Sequence, residues 1–337
     1  MGTDDGVLER RAAAGDSAAQ IALARQYEQD ARHDMARGWF ARAAQTGDLT
    51  GLRMLGISLL AREPMNVVEG ANIVRAAAER GDAEAAHLCA VLAGQDTALP
   101  RNWAIAGDFL DRSARFGHGP AKEQQRLLSC VGPALDAARW LSSPTAETAF
   151  EAPRIQICKG FATAEECDWM IARARPRLAA AEIYDPSGAG LRAEEIRSNT
   201  AASFDIVNLD LVMVLMRARI GRMASLSTDH MEPLSVLHYD IGEQFGEHFD
   251  FVPEALAADI ARNGQRHATF LVYLNDNYEG GETDFPALGW RYKGRKGDAL
   301  LFWNVLPDGT PDRRTLHAGL APTRGEKWLL SQWLRKR

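Results

Sequence analysis

PLSVLHYDIGEQFGEHFDFV (233–252) decides how the second half of this chain is read. Short apolar runs alternate with polar residues and break at glycine, the pattern of strands and turns. Within EHFDF, His248 and Asp250 stand two apart. On a strand, residues i and i+2 project from one face, so one imidazole and one carboxylate come within reach of one ion. Downstream, HATFLVYLND, GGETDFP, GWRYKGRKG, DALLFWNVL, TLHAGLAP and GEKWLLSQWLRK continue the pattern to the end of the chain. Many short strands separated by glycine turns predict a sandwich or barrel.

A second imidazole comes from TLHAG, at His317. Two neutral imidazoles and one carboxylate fill one face of an octahedron and leave three positions open, which suits a ferrous ion that must take a cosubstrate and dioxygen together. A histidine and an aspartate two apart also recur in ordinary strands, so the surroundings matter. Lys327 lies in GEKWLLSQW, and a lysine buried in so apolar a strand is costly unless it meets an anion. It could pair with the distal carboxylate of a bound dicarboxylate. Tyr239, on the strand before His248, and Thr283 in GGETDF could share that carboxylate. A zinc hydrolase with the same three ligands is the competing reading, but zinc favours a tetrahedral site with one water and gives Lys327 no role.

Before this region, RIQICKGF (154–161) reads as a strand and turn. ATAEECDWMIARARPRL (162–178) reads as a helix opened by a capping box, Thr163 with Glu166. AEIYDPSGAGLRAEEIRSN (181–199) reads as a loop, and NLDLVMVLMRARIGRMA (208–224) as an amphipathic helix ending near Gly221. SSPTAETAFEAP (142–153) has the composition of a linker.

Residues 1 to about 130 are alanine-rich and self-similar. Gly15, Gly47, Gly81 and Gly117 recur at separations of 32, 34 and 36 residues within AAAGDSAAQIALARQY, RAAQTGDLTGLRMLGISL, RAAAERGDAEAAHLCAVLAG and DRSARFGHGPAKEQQRLL. Such a period marks stacked helix pairs. The glycine ends the first helix in a left-handed cap, and flanking alanines let helices approach. Trp39 and Trp103 read as core. The motif resembles the Sel-one-like branch of the tetratricopeptide superfamily. Its fourth copy is degenerate and reads as a capping pair. Such solenoids bind protein or peptide, or only support a neighbouring domain.

Composition bounds the rest. The 337 residues suggest about two domains. A net charge of −6 and a pI near 5.8 argue against a nucleic-acid binder driven by phosphate attraction. The apolar run Leu209–Met216 contains Asp210 and is far short of the roughly 20 residues a membrane span needs. The N-terminus MGTDDGVLERRAAAGD does not read as a secretory signal. Cys89, Cys130, Cys158 and Cys167 lack CxxC spacing and read as free thiols in a reducing cytoplasm.

The blocks LHYDIGEQFGEHFDF, QRHATFLVYLNDNYEGGETDFP, KGDALLFWNV and TLHAGLAPTRGEKWLLSQWLR resemble the catalytic domain of prolyl 4-hydroxylases. The likeness covers roughly 154–337 and is dense from 234 onward. With the repeats and the linker it predicts a chain with an all-α helical-repeat solenoid (1–141), a linker (142–153) and, from the likeness itself, a double-stranded β-helix of jelly-roll type with flanking helices (154–337). It implies a 2-oxoglutarate- and iron(II)-dependent dioxygenase that decarboxylates 2-oxoglutarate to succinate while hydroxylating a prolyl residue in a protein or peptide, with ascorbate as a further candidate cofactor. His248, Asp250 and His317 would bind iron, and Lys327, helped by Tyr239 and Thr283, the 5-carboxylate of 2-oxoglutarate. Arg266 and Trp333 match positions lining the substrate groove, and IRSNTAASF (196–204) makes 184–199 a candidate lid. Phe245 stands where the family often places a substrate-side tyrosine. Two other readings stay open: a hydroxylase of a free amino acid or peptide natural product, and a non-catalytic repeat scaffold with a relict barrel.

Overall fold

The computed structural model describes residues 3–96, 100–129, 134–181 and 197–336. Cys130 and positions 184–196 of the candidate lid lie outside them. The chain forms two compact units, 1–137 with 206–215, and 138–205 with 216–337.

The first unit is built from helices α1 (Thr3–Ala13), α2 (Ser17–Gln29), α3 (His33–Gln45), α4 (Leu49–Ala61), α5 (Val67–Glu79), α6 (Ala83–Ala93), α7 (Trp103–Arg115) and α8 (Gly119–Leu128). Each packs on the next in chain order, as a solenoid of helix pairs does. Gly15, Gly47, Gly81 and Gly117 all have φ between +85° and +102°, a conformation that costs an L residue about 1–2 kcal/mol. In the first three copies the residue after the glycine is aspartate. Asp16, Asp48 and Asp82 then cap the following helix by accepting from the amides of Ala19, Gly51 and Ala85. The fourth copy has His118 instead, which makes no side-chain cap, and Pro120 presets the first turn. Small residues set the spacing between helices: a Cβ on Gly70 would fall 2.8 Å from the Gly56 carbonyl oxygen. Trp39 is half-buried and packs against the cluster of Ile21, Ala24, Ala36, Phe40 and Ala43. Trp103 is also half-buried, under the Arg101 guanidinium.

The second unit carries strands β1 (Glu147–Phe150), β2 (Ile155–Cys158), β3 (Ala179–Ala180), β4 (Thr200–Phe204), β5 (Leu234–Tyr239), β6 (Phe245–His248), β7 (Gln265–Tyr273), β8 (Glu279–Gly280), β9 (Thr283–Phe285), β10 (Trp290–Tyr292), β11 (Ala299–Trp303), β12 (His317–Gly319), β13 (Pro322–Arg324) and β14 (Lys327–Lys336). An eight-stranded sheet runs in the order β1-β2-β11-β7-β14-β5-β4-β3, and a four-stranded sheet in the order β10-β9-β12-β6. Every pairing is antiparallel. Leu237, Leu271, Leu300 and Leu329 of the large sheet and Phe245 and Phe285 of the small one share one core, so the sheets face each other as in a jelly roll. The other face of the large sheet is also buried, which is why β11 reads ALLFW without alternation.

Three details differ from the sequence reading. Part of 142–153 is strand β1, because Glu147 to Phe150 can pair along the open edge of β2. The helix Leu211–Ala224 runs three residues past Gly221, and Leu211 to Ile220 are all buried, so that stretch turns no side to solvent and even Arg217 and Arg219 lie inside. Strand β6 stops at His248, and Asp250 lies just beyond it, because its carboxylate is held by Thr269 on the opposite sheet. The helix Ala164–Ala174 does open on a complete capping box of Thr163 and Glu166.

Candidate metal and cosubstrate site

His248 and His317 are direct cross-strand partners, the last residue of β6 and the first of β12. Their ring centroids are 4.2 Å apart. Asp250 Oδ1 lies 3.6 Å from His248 Nε2, and Asp250 Oδ2 lies 3.5 Å from His317 Nε2. Ligand atoms of all three residues lie within 4.8 Å of one another.

Each imidazole is oriented in the same way. His248 Nδ1 is 2.7 Å from the Gly246 carbonyl oxygen, and His317 Nδ1 is 2.9 Å from that of Thr315. A carbonyl only accepts, so both Nδ1 atoms carry the proton and both Nε2 atoms present a lone pair toward Asp250. Burial, reinforced by His317, pushes His248 down to about 3, so it stays neutral and ready to ligate. Burial would raise the Asp250 carboxyl, but the two imidazoles and the Thr269 hydroxyl, 2.7 Å away, outweigh it and hold it below the usual range. The ring of Phe245 stacks flat on His248, 3.5 Å between centroids and 7° between planes, with the Arg197 guanidinium also over Phe245.

Behind the triad lies Lys327, fully buried on β14 opposite Tyr239 of β5. Its ammonium has no hydrogen-bond partner among the described residues and sits 4.8 Å from the centroid of the Tyr239 ring. Burial drags its pKa down to about 7. A buried ammonium left unpaired is a strong signal that an anion completes the site. Tyr239 is buried as well, its phenol pushed up to about 12 by burial. The Thr283 hydroxyl is 2.8 Å from that of Tyr273. Across Gly281 (φ +70°) the lysine meets Tyr278, whose buried hydroxyl has no partner among the described residues. A Cβ on Gly281 would come 2.8 Å from the Tyr278 ring and 3.3 Å from Lys327 Cδ.

Two cavities meet at the triad. One, of about 350 Å³, opens between the sheets and has Tyr239, Thr283, Leu237 and Gly319 on its walls. The other, of about 510 Å³, runs from His248 and Asp250 along Phe249, Phe251 and Trp333 to Arg266. Arg266 grips Glu232 with two nitrogens, at 2.6 and 2.9 Å, and its guanidinium lies 3.6 Å from the centre of the Trp333 ring. Glu232 is shared with Arg335, at 2.6 Å, which also pairs with Asp259 at 2.7 Å, so two guanidiniums and two carboxylates form one network, and Arg266 with Trp333 offers a flat, rigid wall. Tyr273, Thr269 and Tyr278 escape a sequence reading because they look like ordinary strand and turn residues. A second cluster, His238 with Asp240 and Glu326, lies within the same 4.8 Å limit, but Glu326 is shared between His238, at 3.0 Å, and Arg175, at 2.9 Å, which accounts for it as an ion-pair network.

Comparison with known proteins reaches the same chemistry. Residues 234–335 match the family model described as the 2OG-Fe(II) oxygenase superfamily. The probable prolyl 4-hydroxylase 3 of Arabidopsis thaliana is 32% identical over 201 residues, which cover 54% of this chain and 69% of that protein. Prolyl 4-hydroxylase 1 of the same plant is 30% identical over 226 residues, covering 60% and 79%. A solved structure of a viral collagen prolyl hydroxylase from Paramecium bursaria Chlorella virus-1 is 26% identical and covers 54% of this chain and 96% of its own, with a TM-score of 0.42. A Sel1 repeat protein from Oxalobacter formigenes is 22% identical and covers 36% of this chain and 97% of its own, with a TM-score of 0.33. In class the protein is a 2-oxoglutarate-dependent dioxygenase that works with iron(II), 2-oxoglutarate and dioxygen. Within that class the chain belongs to the prolyl 4-hydroxylase family.

Proposed function

We propose that the chain hydroxylates a prolyl residue of a protein or peptide, with His248, Asp250 and His317 holding the iron. The observation that carries this reading is the fully buried Lys327 ammonium, without a hydrogen-bond partner among the described residues, behind a face of two imidazoles and one carboxylate. A bound ferrous ion would supply activation of dioxygen for insertion into an unactivated C–H bond. The protein does the rest. Lys327 and the Tyr239 hydroxyl fix the distal carboxylate of 2-oxoglutarate, with Thr283 held in place by Tyr273. Leu237, Leu271 and Leu329 line the cavity and exclude water from its walls. The wall of Arg266 and Trp333 positions the substrate chain beside the triad.

Further parts of the reading concern the whole chain. The helical repeats recruit the protein substrate, ascorbate sustains turnover, and the enzyme works in the cytoplasm. Burial pushes the thiols of Cys89 and Cys167 up to about 12, which suits unreactive thiols in a reducing compartment. Phe245 carries no hydroxyl beside the triad, and this favours a substrate other than a standard proline-rich peptide.

The test is mass spectrometry of peptides and cell proteins incubated with iron(II), 2-oxoglutarate and the full chain. The expected product is one oxygen atom heavier on proline, absent with Asp250→Ala. Hydroxylation of free amino acids alone would overturn the protein-substrate reading. Absence of any 2-oxoglutarate turnover above the Asp250→Ala control would favour the scaffold.

A further inference from the structure

A carboxylate can hold a divalent ion with one oxygen or with both, and the choice decides how many positions stay open for other ligands. Here that choice is made by two residues that do not face the cavity. The Thr269 hydroxyl, on β7 of the large sheet, is 2.7 Å from Asp250 Oδ2. The Thr269 oxygen is in turn 3.0 Å from Nδ2 of Asn304. Thr269 is 1% exposed, Asn304 0% and Asp250 3%, so no bulk water competes.

The proton positions in this chain are forced. An ionised carboxylate only accepts, so the Thr269 proton points at Asp250. The Thr269 oxygen must then accept, and only the amide nitrogen of Asn304 can donate to it. Asn304 is itself pinned through its backbone. Its N–H donates to the His267 carbonyl, and its carbonyl accepts from the Asp312 amide, both at 2.9 Å. Its own Oδ1 is buried with no partner among the described residues. Leaving a buried amide oxygen unsatisfied typically costs about 1–3 kcal/mol, which is hard to account for if packing were the only role of this side chain.

We propose that Thr269 and Asn304 are positioning residues that commit Asp250 Oδ2 to a hydrogen bond and leave Oδ1 as the single oxygen offered to the metal. The proposal rests on the metal-binding role assigned above to His248, Asp250 and His317. Without the relay, Asp250 is free to pivot or to bind through both oxygens. That loosens the site and takes up a position needed by a cosubstrate.

The experiment is titration of the metal-free full chain with Co(II), followed by its visible absorption spectrum, for the wild type, Thr269→Val, Thr269→Ser and Asn304→Asp. Thr269→Val keeps the shape of the side chain and removes the hydroxyl. Its dissociation constant for Co(II) is expected to rise about 10–100-fold, the usual scale for losing a partner behind a metal ligand, with an altered spectrum. Thr269→Ser keeps the hydroxyl and is expected to restore both. Asn304→Asp exchanges the donor for an acceptor in nearly the same volume. It is expected to weaken Co(II) binding, because the new carboxylate competes for the Thr269 proton and repels Asp250. Wild-type affinity and spectrum in both Thr269→Val and Asn304→Asp would overturn the relay and leave the metal site standing. Equal damage in Thr269→Ser and Thr269→Val would also overturn it. A wild type that binds no Co(II) would overturn the metal site and the relay together.

Discussion

Replacing Lys327 by methionine should stabilise the ligand-free fold while weakening its hold on 2-oxoglutarate. The side chain is fully buried, its ammonium has no hydrogen-bond partner among the described residues, and its pKa falls from 10.5 to about 7 in the folded chain. Between those two values the unfolded chain holds a proton that the folded chain does not. Folding stability therefore rises with pH across that window, and the penalty is complete below about pH 7. At 1.36 kcal/mol per pH unit the penalty is on the order of 4–5 kcal/mol near neutrality. Lys327→Met removes it, so the ligand-free variant should melt higher at pH 7 than the wild type. At about 2–4 °C per kcal/mol the gain is on the order of 8–20 °C, and it should fade toward pH 10. The same substitution deprives 2-oxoglutarate of its counter-ion. Losing one partner of a buried, hydrogen-bonded charge pair costs about 2–5 kcal/mol, or roughly 30- to 5,000-fold in the KM for 2-oxoglutarate. In the wild type that KM should also climb about tenfold per pH unit above pH 7, because the bound form needs the ammonium. Differential scanning fluorimetry and steady-state decarboxylation kinetics read the two effects. A variant that melts lower and keeps its KM would refute the assignment of Lys327 as a latent anion site.

Further outcomes follow from the same geometry. Asp250→Ala and His317→Ala should each abolish metal-dependent turnover and lower Co(II) affinity at least 100-fold, measured by titration, since each removes one of three ligands. Gly281→Ala should raise the KM for 2-oxoglutarate and lower stability by about 1–2 kcal/mol in chemical denaturation, because φ is +70° there and the new Cβ meets the Tyr278 ring. Asp82→Ala should destabilise the helical unit by about 1–2 kcal/mol without touching 2-oxoglutarate kinetics, since Asp82 both caps α6 and holds Arg53 at 2.9 Å.

Much of this was legible before any coordinates, for physical reasons. The repeats announce themselves because each needs a left-handed residue at the same place, and glycine supplies it: Gly15, Gly47, Gly81 and Gly117 all adopt that conformation. The aspartate that follows in three of the copies is an equally local signal, a cap written next to its helix. Strand order is not local. Nothing in the period of β14 says that it lies between β7 and β5, and the helix Leu211–Ala224 reads as amphipathic although Leu211 to Ile220 are all buried. Arg266 could be read from the sequence as a candidate groove residue but not as a partner of Glu232 in an ion-pair network with Arg335, because the pairing joins the start of β7 to the segment before β5.

The site itself shows where sequence reading stops. A hydrophobic period of two identifies which face a strand residue occupies, so His248 and Lys327 can both be placed inside the barrel. It cannot identify what stands opposite. His248 meets His317 because β6 and β12 pair in that register, and a slip by one residue would turn one imidazole out of the site. Lys327 meets Tyr239 for the same reason in the other sheet. Asp250 ties one sheet to the other through Thr269, as Tyr273 does through Thr283, and these bonds hold the metal face at its distance from the ammonium. The distance a dicarboxylate must span is thus set by two registers and the hydrogen bonds between the sheets. That makes the Thr269 hydroxyl, an unremarkable feature of HATFLVYLND, a determinant of the chemistry as much as any ligand.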